Sequence, residues 1–366
     1  MRFLFLRLSV GNSACSKLPC GQEYLTGKKG QVLIEARSKL SLSTSPFLHD
    51  KDTTPWIMFQ VVYALLPILG AAFYFFGLAS LLMCTTAVLS CFLAESLFRS
   101  GPERFGSLKD GSALLTGLLL ALTLPPGFPL WMVFLGGFAA IAIGKVIWGG
   151  IGQNLFNPAL VGRAFLQAAF PTAITTWSQP DGRFLAARGT NLALPFFQGE
   201  TLDAVTSATP LAKMKFQHEP TAILDLFFGN TSGSLGETSA ILILLAGIYL
   251  AARKVFNWHI PVSILATVAI FSGIFFYVNP EFYPSPLHML FSGGLLLGAV
   301  FMATDPVTSP FTIKGCWLFG FGIGFLVVLI RIFGGLPEGV MYAILLMNSA
   351  VPLINRATRY RVYGTK

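Results

Sequence analysis

Charge is scarce in this chain of 366 residues: 11% are Asp, Glu, Lys or Arg, against 54% hydrophobic residues and a mean hydropathy of +0.68. Ordinary soluble domains carry about 25% charged residues, so the composition excludes a soluble globular protein and implies a polytopic membrane protein. Acidic residues are the scarcer sign, 16 against 25 basic, which leaves a net charge of +9. That excess does not point to nucleic acid. The basic residues lie between apolar segments and at the two chain ends, where membrane proteins place their cytoplasmic anchors. Cysteine and histidine are also few, five and four. Cys15 and Cys20 lack the tight spacing and partner pair of an iron–sulfur or zinc site. Cys84 and Cys91 share one helix face as small packing residues, and Cys316 opens an apolar segment. His49, His218, His259 and His288 are too scattered for a metal centre, so none is expected. The apolar core of residues 1–8 is too short and interrupted for a secretory signal; an extension or an early start codon explains it equally well.

Apolar runs are what the chain has in abundance. With about 20 residues per crossing, ten segments stand out: 56–76, 78–98, 112–124, 131–148 and 158–170, then, after a long polar stretch, 239–252, 260–278, 287–303, 316–333 and 340–354. Several are short, and Pro125-Pro126, Pro158 and Pro306 mark their ends; proline removes a backbone donor and bars helix continuation upstream. Broken helices at membrane depth are tolerated where they are buried in protein or line a polar cavity, so the breaks hint at a site. Lys28, Lys29, Arg37, Lys39 and Lys51 put the amino terminus on the cytoplasmic side. Alternation places Arg99, Arg104, Lys109, Lys145, Arg253, Lys254, Lys314 and the tail with Arg356, Arg359, Arg361 and Lys366 there too. The loop 171–237 then faces the other side.

The halves also echo each other. Residues 116–121 resemble 293–298, and Trp131 and Lys145 share the spacing of Trp317 and Arg331, each basic residue leading into a glycine pair. Five crossings per half is odd, so the second copy inserts upside down. The expected fold is an all-α polytopic membrane protein of about ten transmembrane helices in two inverted five-helix repeats with broken helices. The expected organisation is a cytoplasmic segment 1–52, a first repeat 53–170, an extracytoplasmic loop 171–237, a second repeat 238–355 and a basic cytoplasmic tail 356–366.

Four motifs, in order, carry a resemblance. Lys109-Asp110-Gly111-Ser112-Ala113-Leu114-Leu115-Thr116-Gly117 ends at Pro125-Pro126. Gly149-Gly150-Ile151-Gly152-Gln153-Asn154-Leu155-Phe156-Asn157-Pro158-Ala159 opens the fifth apolar segment. Asp203-Ala204-Val205-Thr206-Ser207-Ala208-Thr209-Pro210-Leu211 lies in the polar loop, and Met302-Ala303-Thr304-Asp305-Pro306-Val307-Thr308 closes the eighth segment. Together, across roughly residues 40–356, they resemble the NqrB/RnfD family of respiratory membrane flavoproteins; the Lys-Asp-Gly-Ser-Ala form and the Asp203–Thr206 context favour the Rnf branch. One departure is Ser207, where the family often has Gly.

The resemblance implies FMN held covalently through a phosphoester to Thr209 and installed by a separate flavin transferase. Such a transfer needs a hydroxyl that can be placed in line with the phosphorus. The small neighbours Ser207 and Ala208 allow close approach, Pro210 stiffens the exit, and Thr206 completes the cofactor-binding stretch. Asp203 is read as a recognition or metal-proximal residue, and no catalytic residue is expected in the chain itself. The resemblance also implies a second, non-covalent flavin, riboflavin, in the bundle, with Asn154 and Asn157 offering amides to its imide edge. Asn157 before Pro158 reads equally as a helix N-cap. Ionisable residues inside a membrane are costly and suggest an ion pathway. Asp110, Asp305 and Glu95 are the candidates, with pairing to Lys109 or Lys145, or a capping role for Asp110, as the plain alternatives. By resemblance, the chain is an inner-membrane component of an Rnf-type complex that passes electrons between reduced ferredoxin and NAD⁺, coupled to Na⁺ or H⁺ transport, with the other members of that complex as partners. Two other readings stay open: an NqrB-like role in a Na⁺-translocating NADH:quinone oxidoreductase, with quinone as acceptor, and a non-redox transporter or channel on the same architecture.

Overall fold

The computed structural model describes residues 53–98, 107–178, 191–193 and 208–360, apart from residues 218, 220, 230, 238, 281 and 336. Asp203, Thr206 and Ser207 lie outside the described residues, as do Cys15, Cys20 and His49. Among the described residues every regular element is helical, and five helices are long and apolar enough to cross a membrane. The chain is a multi-pass membrane protein.

Helix α1 (Thr54–Phe76) contains Pro67 and stops at Gly77, where φ is 67°, a left-handed value that glycine reaches without a Cβ clash. Helix α2 (Leu78–Phe98) follows at once. Helix α3 (Ser112–Leu122) is 11 residues long, so at 1.5 Å per residue it covers about half of a ~30 Å hydrocarbon layer. Helix α4 (Leu130–Ile141) runs on into a π turn, Ala142–Val146, and α5 (Pro158–Ala169) is followed by the short α6 (Pro171–Ile174). Then come α7 (Pro210–Ala212) with a π turn Lys213–Gln217, α8 (Ile223–Phe228), a 3-10 turn Leu235–Glu237, α9 (Ala240–Ala252) and α10 (His259–Val278). Helix α11 (Pro286–Phe291) is separated from α12 (Leu295–Leu297), which continues as a π turn Gly298–Met302. Helices α13 (Ile313–Phe333) and α14 (Val340–Ala357) close the chain.

Each of the ten apolar segments holds helix, but 287–303 is interrupted at residues 292–294. Gly293 sits there with φ 68°, and a Cβ on it would lie 2.6 Å from Leu211 Cδ1. The break is thus built from a glycine that both turns the chain and admits a side chain from the loop.

Close packing through small residues holds the helices together, as it must where lipid offers no hydrophobic contrast. Gly320 and Gly324 of α13 lie against Ser263 and Thr267 of α10, and the Ser263 hydroxyl donates to the Trp317 carbonyl at 2.9 Å. Between α2 and α4, Gly137 lies against the Ala87 carbonyl and Ser90 donates to the Phe134 carbonyl. Helices α1 and α9 meet where the Tyr249 hydroxyl donates to Gln60 Oε1 at 2.7 Å. One continuous apolar core runs through α1 to α5 and α9 to α14.

Candidate functional site

Thr209 is buried, 4% exposed, at the start of α7. Its extended backbone and the proline after it make it an N-cap: Oγ1 accepts from the Ala212 N–H at 3.2 Å. The hydroxyl hydrogen makes no bond among the described residues, so replacing it with phosphorus would break none of them. Three contacts seat the segment. Ser232 donates to the Ala208 carbonyl at 3.0 Å, and Leu211 fills the space left by Gly293. Lys215 Nζ donates to the Arg331 carbonyl at 2.8 Å and to the Gly334 carbonyl. Burial lowers the Lys215 pKa.

Arg331, buried in the last turn of α13, holds the other side of the same break. Nη1 donates to the Met289 carbonyl at 2.6 Å and Nη2 to the Ser292 carbonyl at 3.1 Å. These are carbonyls that an unbroken helix would satisfy internally and the end of α11 leaves open. Beside the break lies a cleft of ≈ 710 Å³ lined by, among others, Thr123, Arg163, Gln167, Trp177, Gly294 and Glu338. Arg163 of α5 pairs with Glu338 across it.

A second cleft, ≈ 760 Å³, opens at the other ends of α3 and α5, with Ser112, Thr116, Lys145, Asn154, Asn157, Thr304 and Asp305 among its lining residues. Asn157 caps α5, accepting from the Ala159 N–H at 3.0 Å, and its Nδ2 donates to the Met302 carbonyl at 3.1 Å. One amide therefore joins the start of α5 to the end of the α12 segment, and the capping role holds. Asn154 donates to the Phe156 carbonyl at 3.2 Å within its own loop and lines the cleft.

The three candidate carboxylates form no cluster that could hold a metal ion among the described residues. Glu95 is buried and paired with Lys145 at 2.6 Å, and Lys145 also donates to the Ser112 hydroxyl at 2.7 Å. Asp305 lines the second cleft and accepts from the Thr308 hydroxyl at 3.1 Å; burial pushes its carboxyl up to about 6, against the pull of Thr308 and the Val307 backbone. Asp110 ends a 3-10 turn, Ser107–Asp110, and Gly111, not Asp110, occupies the N-cap position of α3. The capping alternative for Asp110 is therefore corrected: Gly111, in the left-handed region at φ 73°, supplies the turn. Sequence reading missed Arg163, Lys215, Glu237, Arg331 and Glu338 as site residues. The signal for Arg163 and Arg331 was a guanidinium inside an apolar segment. Nothing local marked Lys215, whose acceptors lie more than a hundred residues away.

A family model described as the NQR2, RnfD, RnfE family matches residues 41–364. The chain is 41% identical to the D component of the proton-translocating ferredoxin:NAD(+) oxidoreductase complex of Clostridium ljungdahlii, over 91% of this chain and 100% of that protein. It is 43% identical to the D component of the ion-translocating oxidoreductase complex of Stutzerimonas stutzeri, over 84% and 91%. With the D component of the Na(+)-translocating ferredoxin:NAD(+) oxidoreductase complex of Acetobacterium woodii the identity is 40%, over 89% and 95%.

Proposed function

The chain belongs to the NQR2, RnfD, RnfE family, and from that premise we propose that Thr209 carries FMN through a phosphoester and that the chain passes electrons through it as part of a ferredoxin:NAD⁺ complex translocating Na⁺ or H⁺. The observation that carries this reading is the seat of Thr209. A buried threonine with an unused hydroxyl hydrogen is held by Leu211 and Lys215 against the break between α11 and α12. FMN bound there would supply one-electron chemistry. The protein's part is positional: Ser232, Leu211 and Lys215 fix the segment, and burial excludes water. Partner proteins of the complex supply nucleotide and iron–sulfur chemistry, and a flavin transferase installs the group. Asp203, Thr206 and Ser207 are proposed to present the loop to that enzyme.

The fold proposed is the inverted five-helix repeat, with both termini cytoplasmic in the inner membrane and the Thr209 loop outside. Its support is the matched packing: in each half the second helix meets the fourth through a serine donating to a carbonyl, and a shortened third helix ends in a break. The cleft around Asn154 and Asn157 is proposed for riboflavin. Relatives named for protons and for Na⁺ stand at nearly equal identity, 41% and 40%, so membership of the family does not fix the cation.

In-gel flavin fluorescence after denaturation tests the attachment. Wild-type chain made with a flavin transferase is expected to fluoresce and Thr209→Ala to stay dark. A fluorescent Thr209→Ala band overturns the assignment of the residue, and a dark wild-type band favours a non-redox transporter.

A further inference from the structure

The 3-10 turn Leu235–Glu237 is wedged between the two broken helices. Leu235 N–H donates to the Leu124 carbonyl, just past α3, at 3.1 Å. A Cβ on Gly236 would lie 2.9 Å from both the Leu122 carbonyl oxygen and Leu297 Cδ2. The turn places the Glu237 side chain against the break. Oε1 is 3.1 Å from where a Cβ on Gly294 would stand, and Oε2 accepts from the Ser234 N–H at 3.3 Å. Gly294 is therefore the residue that leaves room at Oε1, and its neighbour Gly293 is the one that receives Leu211 from the Thr209 segment.

Two carboxylate oxygens here are shielded from solvent and make no hydrogen bond among the described residues: Glu237 Oε1 and Glu338 Oε1. A buried acceptor without a donor costs about 1–3 kcal/mol, more if charged, so a functional reason is called for. Two glutamates and two arginines share the place. Arg163 of α5 pairs with Glu338, and Arg331 of α13 feels both carboxylates. The elements packed directly on the turn are α1, α3 and α12. Helices α3 and α12 carry no ionisable side chain, and Tyr63 and Tyr74 of α1 are exposed. His288 of α11 is buried near Arg331. With both glutamates ionised the two Glu and two Arg balance, and Lys215, bound to the Arg331 and Gly334 carbonyls, adds a positive charge at the same break.

We propose that Glu237, with Glu338 beside it, is a proton-binding site that compensates negative charge placed on the Thr209 cofactor at the same helix break. The inference rests on the flavin reading for its role but not for its chemistry. When a low-potential one-electron carrier of the complex delivers an electron, Glu237 takes a proton originating in solvent water at Oε1, which stands beside Gly294 of the cleft lining, forming the O–H bond. It returns the proton when the electron leaves. A proton suits the site better than a metal cation, which takes several oxygen ligands and would be opposed by two guanidiniums. Burial and the Glu338 carboxylate raise the Glu237 pKa, against the opposing pull of Arg163.

Infrared titration of the whole complex in lipid, taken as wild type minus Glu237→Gln, tests this. The expected result is a protonated-carboxyl band persisting above pH ~6, where an ordinary glutamate of pKa about 4.3 is ionised, and absent from Glu237→Gln. Glu338→Gln, which keeps Glu237, is expected to move that titration to lower pH by removing the neighbouring negative charge. A band unchanged in Glu237→Gln, no band in the wild type, or a titration unmoved in Glu338→Gln overturns the proposal; if Glu237→Gln fails to assemble, the Glu338→Gln arm decides. The titration needs no flavin, so its failure is distinct from that of the Thr209 assignment, which in-gel fluorescence reads separately.

Discussion

Single side chains carry much of the specificity in this bundle, because a charge placed among apolar helices has few tolerable surroundings. Glu95 and Lys145 satisfy each other in the core between α2 and the π turn after α4. Removing one partner strands the other, at a cost of ~3–5 kcal/mol, whereas replacing both by apolar residues is often neutral. Lys145→Met is therefore expected to lower the thermal stability of the detergent-solubilised chain strongly, and Lys145→Met with Glu95→Leu to recover most of it; a double variant as unstable as the single one contradicts the pairing. Asp305 behaves differently, since burial raises its carboxyl from 3.8 to about 6. The folded state then holds the proton more tightly than the unfolded state. Its contribution to stability is full below 3.8 and is lost as pH rises through about 6. Across that interval the Tm of the wild type is expected to fall relative to that of Asp305→Asn, and parallel Tm curves contradict the shift. The Glu95 pairing and the Asn157 cap were legible because both are local or follow from an apolar setting. The role of Arg331 was not: its acceptors, Met289 and Ser292, become free only because α11 stops where it does.

Helix ends, more than helix bodies, define the two clefts. The sequence showed the proline stops after α3 and before α5, and glycine pairs near the eighth segment, but not which side chain would enter the break. Leu211 entering at Gly293 is a tertiary choice between a loop and a helix that share no sequence pattern. Gly293→Ala adds a Cβ 2.6 Å from Leu211 Cδ1 at a φ of 68°, and is expected to displace the Thr209 segment. Limited proteolysis between α6 and α8 should then quicken, with Leu211→Ala added to Gly293→Ala slowing it again; unchanged cleavage in Gly293→Ala contradicts the seating. Asn157 ties two ends together at once. Asn157→Ala loses a cap worth about 1 kcal/mol and leaves the Met302 carbonyl unpaired for about 1–3 kcal/mol, so thermal unfolding should show a loss larger than a cap alone. A loss no larger than that of a surface cap would mean the Met302 link contributes nothing.

At the scale of the molecule, composition alone announced the membrane, and each hydrophobic run coincides with helix among the described residues. Length did not: five helices are long enough to cross by themselves, while α3, α4, α9 and the α11–α12 pair are short or broken. The proposed topology puts Leu192 and Tyr360, both exposed, on opposite faces of the membrane. With Cys15 and Cys20 replaced by Ser and the other cysteines buried, Leu192→Cys should react with an impermeant maleimide in intact cells and Tyr360→Cys only after lysis; the reverse pattern inverts the topology. The role of the whole chain still turns on the hydroxyl of Thr209. Peptide mass spectrometry of the chain purified from cells that contain a flavin transferase addresses it most directly. The expected result is FMN on the peptide containing Thr209 and on no other; that peptide recovered wholly unmodified contradicts the account.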